Sequence, residues 1–479
     1  MRRALLVALL AAAASAGTAA AFTPTDPLAP KQWYLQDDHA FDIWTTPPAF
    51  MPVRVAVIDS GIDASLPDFA GRILDARSFV GGSPTVDTEG HGTFVAGIIA
   101  ANMDSQGVVG LAYSAQLLIA KVVKPNGEIP LEAETKAIRW AADSGARVIN
   151  LSLAGERDPV HLDRDTYSTA EADAVAYANA KGALVVAAVG NSDAASGRPW
   201  PYASYPAALP HVLGVSALTH AGNVPDYSNR DAVYNDLAAP GSGIFSTFPS
   251  SITSLRPACT DQGFSDCGDS EYQFAEGTSF AAPQVSAAAA VLFGLVPTLT
   301  NSQVESLLEH SADDVNAGTG CPQCALLRDP YSGWGRLDVA KAVANLAGPL
   351  PVPDSFETND NAGTQAHPLW GTEQRVQATL DYYDDPVDVY RIVLRKHQTL
   401  KATVTAAWAG ASVQLELWRP GTRQVDRAAT VRQLRAAQSA VPGNVQHVQF
   451  VAPKLGAYYV EVRALAPGFG AYALQLAKT

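Results

Sequence analysis

The chain has 479 residues, of which 47 % are apolar and 17 % are charged, so it is long enough to bury a large core and to form two domains. Its formal net charge of −14 at pH 7 argues against binding to nucleic acid or to anionic membrane surfaces. This charge is typical of a soluble exported protein.

The first 21 residues have the pattern of a secretory signal peptide. Arg2 and Arg3 precede an apolar run, and small residues follow it up to Ala21, which gives an A-x-A-like cleavage site before Phe22. An uncleaved membrane anchor is the alternative, whereas a lipoprotein is disfavoured because no cysteine follows the apolar run. We therefore expect a chain that is secreted, extracellular or periplasmic, and free of the membrane after cleavage.

The first motif that carries chemistry is VAVIDSGID, which contains Asp59. The residues at 53–58 are β-branched and largely apolar, which predicts a central parallel strand buried on both faces. Asp59 then lies at the carboxyl end of this strand, where open α/β sheets place their ligands. Taken alone, an aspartate here also fits the plain end of a strand.

The second motif is GHGTFVAG, which contains His91. The apolar pattern at 93–101 predicts a buried helix with His91 at its entrance. A capping or core histidine is the ordinary alternative at such a position.

The middle of the chain alternates between strand and helix patterns. Apolar runs at 116–123, 183–189 and 211–218 are separated by helical stretches. This alternation predicts an α/β fold with a mostly parallel central sheet and helices on both faces.

The third motif is GTSFAAPQ, which contains Ser279. An apolar helix is predicted over 280–295, so Ser279 lies at its N-terminus, where N–H groups and the helix dipole favour a developing negative charge. An N-cap serine is the ordinary alternative. Together, Asp59, His91 and Ser279 supply the acid, the base and the nucleophile of a hydrolytic triad. The apolar run at 285–296 is too short to span a bilayer.

These three motifs resemble the signature blocks of the subtilisin-like serine peptidases, over residues of about 30–345. The order Asp, His, Ser is that of subtilisin and differs from the orders in chymotrypsin and the α/β-hydrolases. The resemblance implies a serine endopeptidase that hydrolyses polypeptides through an acyl-enzyme and needs no catalytic cofactor. One departure is Gln284, which stands where the family commonly has histidine and lies outside the triad.

The same resemblance assigns an oxyanion donor and a substrate pocket. Asn191 would donate its side-chain amide to the oxyanion, although a turn asparagine is the alternative. The segment at 148–155 would pair with an extended substrate. The pocket would be lined by Ser152, Leu153, Ala154 and Gly155 on one wall, by Ala187, Ala188 and Val189 opposite, and by Ser204 at the base. These segments contain no acid, which favours an apolar side chain at the cleavage site.

Structural calcium is an open question in this part of the chain. The segment at 102–112 resembles the loop that often holds calcium in the family, but Asp104 is its only charged ligand, so an ordinary turn is the alternative. A second acidic group is better explained by solvated side chains: Asp261, Asp266, Asp269 and Glu271.

Four cysteines in an exported chain suggest two disulfides. Three pairings are compatible with the sequence, and the local one joins Cys259 to Cys267 and Cys321 to Cys324. A redox or metal role for the CPQC motif is the alternative, which the lack of a second CxxC and of a βαβ redox context disfavours.

The composition changes at 347–360, where prolines and polar residues predict a linker. Short alternating runs beyond it predict a small antiparallel β-sandwich, which resembles the bacterial pre-peptidase C-terminal domain. Its acids are candidate calcium ligands or solvated loop residues: Asp381, Asp384, Asp385 and Asp388. The predicted organisation is a signal peptide (1–21), a peptidase domain (22–347), a linker (348–360) and a C-terminal domain (361–479).

Three functions remain open at this point. The first is the secreted endopeptidase, and we expect it to be a monomer. The second is a non-catalytic binding or adhesion protein built on a peptidase scaffold, and the third is an acyl hydrolase or esterase that uses the same triad. Residues 26–36 already resemble the start of the catalytic domain, which leaves no room for a propeptide, so we expect the enzyme to fold unaided or to be restrained in another way.

Overall fold

A computed structural model describes most of the chain. The described residues are 22, 24–45, 50–161, 163–192, 197–252, 271–351, 354–357, 359–383, 385–423, 425, 433–441 and 443–479. Several predictions lie outside them: the signal peptide, Cys259, Cys267, Asp261, Asp266, Asp269 and Asp384.

The first part of the described chain is built on a parallel sheet of seven strands, in the order β2-β3-β1-β4-β5-β6-β7. The strands are β1 (Arg54–Asp59), β2 (Ile73–Ser78), β3 (Gln116–Lys121), β4 (Val148–Leu151), β5 (Leu184–Ala188), β6 (Val212–Leu218) and β7 (Leu237–Pro240). A short antiparallel pair lies outside this sheet and consists of β8 (Ile244–Thr247) and β9 (Tyr272–Ala275).

Helices cover both faces of the sheet. They are α1 (Trp33–Asp37), α2 (His91–Ala100), α3 (Leu131–Asp143), α4 (Thr169–Ala180), α5 (Thr278–Leu295), α6 (Asn301–Ser311) and α7 (Val339–Asn345). Because side chains alternate along a strand, β1 contributes Val55 and Val57 to the core with α2 and α5, and Ala56 and Ile58 to the core with α3 and α4.

Helix α5 is long and apolar enough to cross a bilayer by composition, but 89 % of its apolar window is buried inside the protein. It is therefore the central core helix. It also begins two residues earlier than predicted, at Thr278.

The last part of the chain is a β-sandwich. One sheet has the order β10-β12-β17-β14-β15 and the other the order β11-β18-β13-β16. The strands are β10 (His367–Pro368), β11 (Glu373–Asp381), β12 (Val387–Leu394), β13 (Thr399–Ala406), β14 (Val413–Trp418), β15 (Arg435–Gln438), β16 (Val445–Val451), β17 (Gly456–Ala464) and β18 (Phe469–Lys478). All pairs except β10 with β12 are antiparallel, and alternate residues fill the core between the sheets.

The sandwich contacts the first part of the chain through aromatic rings and through two histidines, His310 and His211. The ring of Trp334 lies 4.8 Å from that of Tyr383, and the ring of Tyr383 lies 4.8 Å from that of His310. His211, which precedes β6, places its Nε2 atom 3.4 Å from a carboxylate oxygen of Asp360. This contact therefore includes the amino end of β6, whereas Asp59 lies at the carboxyl end of the parallel strand β1.

The predicted fold class is confirmed. Local sequence patterns predict both regions of the fold. Buried strands that alternate with helices form the parallel sheet, and short strands with one apolar face form the sandwich.

Candidate active site

Asp59 and His91 meet at the carboxyl end of β1. Asp59 is the last residue of that strand and is only 1 % exposed, while His91 is the first residue of α2. The Nδ1 atom of His91 lies 2.8 and 2.9 Å from the two carboxylate oxygens of Asp59. Because a carboxylate only accepts hydrogen bonds, Nδ1 carries the proton and, in the neutral ring, Nε2 holds the lone pair.

The surroundings of His91 favour its charged form. Burial by itself lowers the pKa of the imidazole, but the charge and hydrogen bond of Asp59 and the charge of Asp87 together raise that pKa above its ordinary value of 6.5. An imidazole that takes a proton at this position is therefore stabilised as imidazolium.

The approach of the two residues needs glycine after the histidine. A Cβ atom on Gly92 would lie 2.2 Å from the carbonyl oxygen of Gly61 and 3.1 Å from the Cβ atom of Asp59. The backbone of α2 is thus packed directly against the turn that follows β1, which explains the glycine in the motif around His91.

Ser279 is the second residue of α5 and is partly exposed. Its hydroxyl donates to the carbonyl oxygen of Ser152, 3.4 Å away. The next residue, Phe280, places its ring 5.4 Å from the ring of His91. The structure therefore brings the start of α5 both to Ser152, which directly follows β4, and to the His91 ring.

Pro283 shapes the backbone around Ser279. It is the sixth residue of α5, so its missing N–H would have bonded to the carbonyl of Ser279 four residues earlier. The hydroxyl of Ser152 donates to this carbonyl instead, at 2.8 Å. A side chain from outside the helix therefore replaces the donor that the proline removes.

A buried polar chain, which sequence reasoning missed, lies beside Ser152. Ser286 donates to the Oδ1 atom of Asn150 at 2.8 Å, and the Nδ2 atom of Asn150 donates to the hydroxyl of Ser152 at 3.0 Å. The available signal was three small polar residues in apolar surroundings: Asn150 on β4, Ser152 directly after it and Ser286 on α5. Buried polar groups of this kind need hydrogen-bond partners.

Asn191 lies beside the start of α5. Its Oδ1 atom accepts hydrogen bonds from the backbone N–H and the hydroxyl of Thr278, at 3.0 and 2.9 Å. These two bonds fix the orientation of the side-chain amide. Among the described residues Nδ2 has no hydrogen-bond acceptor, so it can donate to another group. A Cβ atom on Gly277 would lie 3.2 Å from Nδ2, so glycine keeps this space open.

The predicted pocket residues are neighbours in space. Gly155 and Tyr205 exchange two backbone hydrogen bonds, at 2.8 and 2.9 Å. The N–H of Ser204 donates to the carbonyl of Val189 at 2.8 Å, and its hydroxyl accepts from Asn229 at 3.1 Å. The side chains of Ala187 and Ala188 are buried in the two cores, whereas Ala154 is exposed.

The carboxylates around the 102–112 segment already have protein partners. Asp26 accepts hydrogen bonds from the N–H groups of Asp104 and Ser105, at 3.0 and 3.1 Å. Asp68 accepts from the hydroxyl of Tyr272 at 2.9 Å and from the N–H of Val108 at 3.2 Å. Both carboxylates are therefore hydrogen-bonded to protein donors, while the Oδ2 atom of Asp26 is buried without a partner among the described residues.

An acidic cluster lies where the chain enters the sandwich. It comprises two overlapping groups whose ligand atoms lie within 4.8 Å of one another: Asp354, Glu357 and Asp388, and Glu357, Asp360 and Asp385. Asp385 and Asp388 are among the predicted calcium ligands, whereas the three acids at 354–360 were missed because they fall in the predicted linker. Asp381 lies nearby, since it lines the same cavity as Glu357, Asp360 and Asp385.

The cluster contains buried polar atoms that no described residue satisfies. Asp388 and Asn359 are fully buried, and the Oδ1 atom of each has no hydrogen-bond partner. Burial and neighbouring acids raise the pKa of Glu357 to about 8, and burial raises that of Asp360 to about 6. The nearby His211 does not neutralise this charge, because burial lowers its pKa to about 4.

Cys321 and Cys324 are buried neighbours, with Cα atoms 5.4 Å apart and sulfur atoms within bonding distance. They pack with Leu218 and Val224 in a small apolar cluster.

Comparison with known proteins identifies the family. A sequence model of the subtilase family matches residues 52–328. The chain belongs to the subtilase family. This subtilase is 35 % identical to subtilisin DY of Bacillus licheniformis over 55 % of its own length and 84 % of that protein. It is 32 % identical to thermitase of Thermoactinomyces vulgaris over 67 % of its length and 99 % of the relative.

Solved structures agree with this assignment. A protease of Pseudoalteromonas arctica matches 67 % of this subtilase with a TM-score of 0.53 and 27 % identity, and 99 % of that protease is covered. Sphericase matches 65 % with a TM-score of 0.51 and 29 % identity, again over 99 % of its chain. The prediction of a subtilisin-like serine peptidase is confirmed.

Proposed function

We propose that this subtilase is a secreted endopeptidase that cleaves polypeptides through an acyl-enzyme on Ser279. The observation that carries the proposal is the contact of the His91 Nδ1 atom with both oxygens of the buried Asp59, at 2.8 and 2.9 Å. This contact fixes the tautomer in which Nε2 can accept a proton.

The proposed steps use His91, Ser279, Asp59 and Asn191 in turn. Nε2 of His91 takes the hydroxyl proton of Ser279 as Oγ attacks the scissile carbonyl carbon, and Asp59 stabilises the imidazolium without taking the proton. The tetrahedral oxyanion accepts a hydrogen bond from Nδ2 of Asn191, whose orientation is supported by its two bonds to Thr278.

The intermediate then collapses. The C–N bond breaks, and the leaving amine takes the proton from Nε2 of His91, which leaves an ester on Ser279. A water molecule repeats the sequence: His91 takes its proton, hydroxide attacks the ester carbonyl, and Ser279 leaves as the protonated hydroxyl.

The substrate is proposed to pair with the segment that includes Ser152 and Gly155. Support comes from the two backbone bonds between Gly155 and Tyr205, which hold this wall next to Ser204 at the predicted base of the pocket. Because the pocket segments carry no acid, an apolar residue is the proposed preference at the cleavage site.

The test is cleavage of a denatured protein and a peptide library by the full chain and by Ser279→Ala. We expect cleavage by the parent, none by the variant, and full activity in Ser83→Ala, which alters an exposed serine that has no part in the proposed steps. Equal cleavage by the parent and Ser279→Ala would refute the nucleophile. Parallel assays on an ester and an amide of one acyl group test the esterase alternative, which predicts turnover of the ester alone.

Secretion and the disulfide are part of the same proposal. The signal-peptide pattern at 1–21 supports export, and the close approach of Cys321 and Cys324 supports a disulfide in an oxidising compartment. N-terminal sequencing of the exported chain should begin at Phe22. Thiol alkylation should label Cys321 and Cys324 only after reduction, and labelling without reduction would contradict the pairing.

The acidic cluster is proposed to hold a structural divalent cation, with calcium as the best fit. Support comes from its all-oxygen donor set and from the partnerless Oδ1 atoms of Asp388 and Asn359, since calcium takes six to eight oxygen ligands. Bound there, the ion would offset the repulsion among the carboxylates, and it has no role in the hydrolytic steps.

A further inference from the structure

Asp87, four residues before His91, is buried and accepts five hydrogen bonds. Its Oδ1 atom accepts from the hydroxyl of Ser60 at 2.9 Å and from the N–H groups of Glu89 and Gly90 at 3.1 and 2.9 Å. Its Oδ2 atom accepts from the N–H and the hydroxyl of Thr93, at 2.9 and 2.6 Å. Both carboxylate oxygens of Asp87 are therefore held by donors from Ser60, from the turn before α2 and from the first turn of α2.

These bonds connect the two elements that carry Asp59 and His91. Ser60 follows Asp59 directly, and its backbone N–H donates to Asp59 Oδ1 at 2.7 Å. The hydroxyl of Ser60 donates to Asp87 and accepts from the N–H of Gly92 at 2.9 Å. The end of β1 and the first turn of α2 are therefore joined through Asp87 and Ser60 on both sides of His91.

We propose that Asp87 is a positioning residue for hydrolysis. It holds Asp59 and His91 in their relative positions and supplies a second negative charge near the His91 ring. The role follows from hydrogen-bond geometry and charge. Asp87 touches neither substrate nor the reacting atoms.

Two other charged residues, Lys121 and Glu89, lie near Asp87. Lys121 is buried and donates to the carbonyl oxygens of Ser60 and Val86, at 2.6 and 3.3 Å. Glu89 interacts with both Asp87 and Lys121, and burial together with the charge of Asp87 raises its pKa. Asp59 and Asp87 are the acids that raise the pKa of His91.

The inference rests on the proposed function, and the experiment separates the two. Cleavage of a peptide substrate is measured as kcat and KM from pH 4 to 10 for the parent, Ser279→Ala and Asp87→Asn. If Ser279→Ala remains active, the proposed function fails. If Ser279→Ala is inactive, the Asp87→Asn profile decides the inference.

Asparagine keeps the shape of Asp87 and removes its charge, and it also replaces one of the two accepting oxygens with an amide NH₂ group. Because a neighbouring negative charge raises a histidine pKa, we expect the acid limb of kcat/KM to move down by about half to one pH unit and kcat to fall about three- to tenfold, with KM unchanged. The control Asp75→Asn removes an exposed charge and should leave both the limb and kcat as in the parent. An Asp87→Asn limb that coincides with that of the control would overturn the inference.

A second variant keeps the proposal testable if Asp87→Asn does not fold. Ser60→Ala removes the hydroxyl that joins Asp87 to the end of β1 but leaves the carboxylate charge in place. We expect kcat to fall while the acid limb stays at the parent pH. Parent kcat in Ser60→Ala would show that the connection does not position the pair.

Discussion

The hydroxyl of Ser152 donates to the backbone carbonyl of Ser279, 2.8 Å away and 127 residues further along the chain. Pro283 makes this contact necessary, because it removes the helical donor that this carbonyl would otherwise have. One predicted wall of the substrate pocket thus also anchors the backbone of the proposed nucleophile.

Ser152→Ala should lower both stability and turnover. The change leaves a part-buried carbonyl without its donor, for which we expect a loss of about 1 kcal/mol in the free energy of unfolding. It also loosens the position of Ser279, so kcat should fall. Denaturant unfolding and peptide kinetics measure the two effects.

Ser286→Ala is the matched control for this change. It removes the bond from Ser286 to Asn150 and keeps the bond from Ser152 to Ser279. Its kcat should therefore stay closer to that of the parent. A Ser152→Ala enzyme with parent kcat would show that the contact does not position the nucleophile.

Asn191→Ala should lower kcat by about 10²–10³-fold, the magnitude that loss of one such donor causes in a subtilisin. KM should change little, because the amide acts on charge that develops only in the transition state. Steady-state kinetics on a peptide amide measures the changes in kcat and in KM separately.

The variant Thr278→Val tests the orientation of the Asn191 amide separately from the hydrogen bond that its Nδ2 atom donates to the oxyanion. It removes the hydroxyl bond to Asn191 but leaves the bond from the Thr278 N–H and the Nδ2 donor. We expect a much smaller loss of kcat than in Asn191→Ala. Similar losses in both variants would argue that Asn191 acts by anchoring α5.

Glu171→Gln should stabilise the protein increasingly as the pH rises. Burial and the charge of Glu134 raise the pKa of Glu171 from 4.5 to about 9, so the folded protein keeps a proton that the unfolded chain releases. The stability linked to this proton is fully present below about pH 4.5 and is lost as the pH rises through about 9. Glutamine has no such proton to lose.

The free energy of unfolding of Glu171→Gln, relative to the parent, should therefore grow between pH 5 and 9, by at most about 1.4 kcal/mol per pH unit. Urea unfolding at several pH values, in the Ser279→Ala background to prevent self-digestion, measures the difference. The exposed Glu373→Gln should give a curve parallel to the parent. A difference that stays flat with pH would contradict the buried proton.

Calcium should raise the melting temperature of the full chain, and a chelator should lower it. A ligand that binds only the folded state at 100 times its Kd stabilises by about 2.7 kcal/mol. Asp388→Asn should weaken this response, because it removes a buried carboxylate from the cluster. Calorimetry with calcium or chelator, again in the Ser279→Ala background, measures it.

The exposed Asp75→Asn is the charge-matched control and should keep the full calcium response. Without calcium, Asp388→Asn should melt above the parent, because burial, and after it the charge of Glu357, disfavours a carboxylate at this position. An unchanged response in Asp388→Asn, or none in the parent, would contradict the cation site.

The sequence by itself determined the elements of the fold and the chemistry at their ends. The run at 53–58 and the apolar stretch after Ser279 are local patterns, and the length and β-branched content of such a run favour a strand or a helix. For the same reason, the alternating runs after the linker predicted the sandwich. The order of Asp59, His91 and Ser279 pointed to the family because each lies in its own short motif.

Only the tertiary structure decided which distant side chains meet. The acids at 354–360 approach Asp385 and Asp388, Ser152 reaches Ser279, and Asp87 joins the end of β1 to α2. These contacts depend on strand order and on packing between elements, and the periodicity of one segment carries no information about the neighbour that its end will face. Short sequence motifs therefore identify the reactive residues of this chain. The hydrogen bonds that hold those residues in place form only when the sheets and helices pack together.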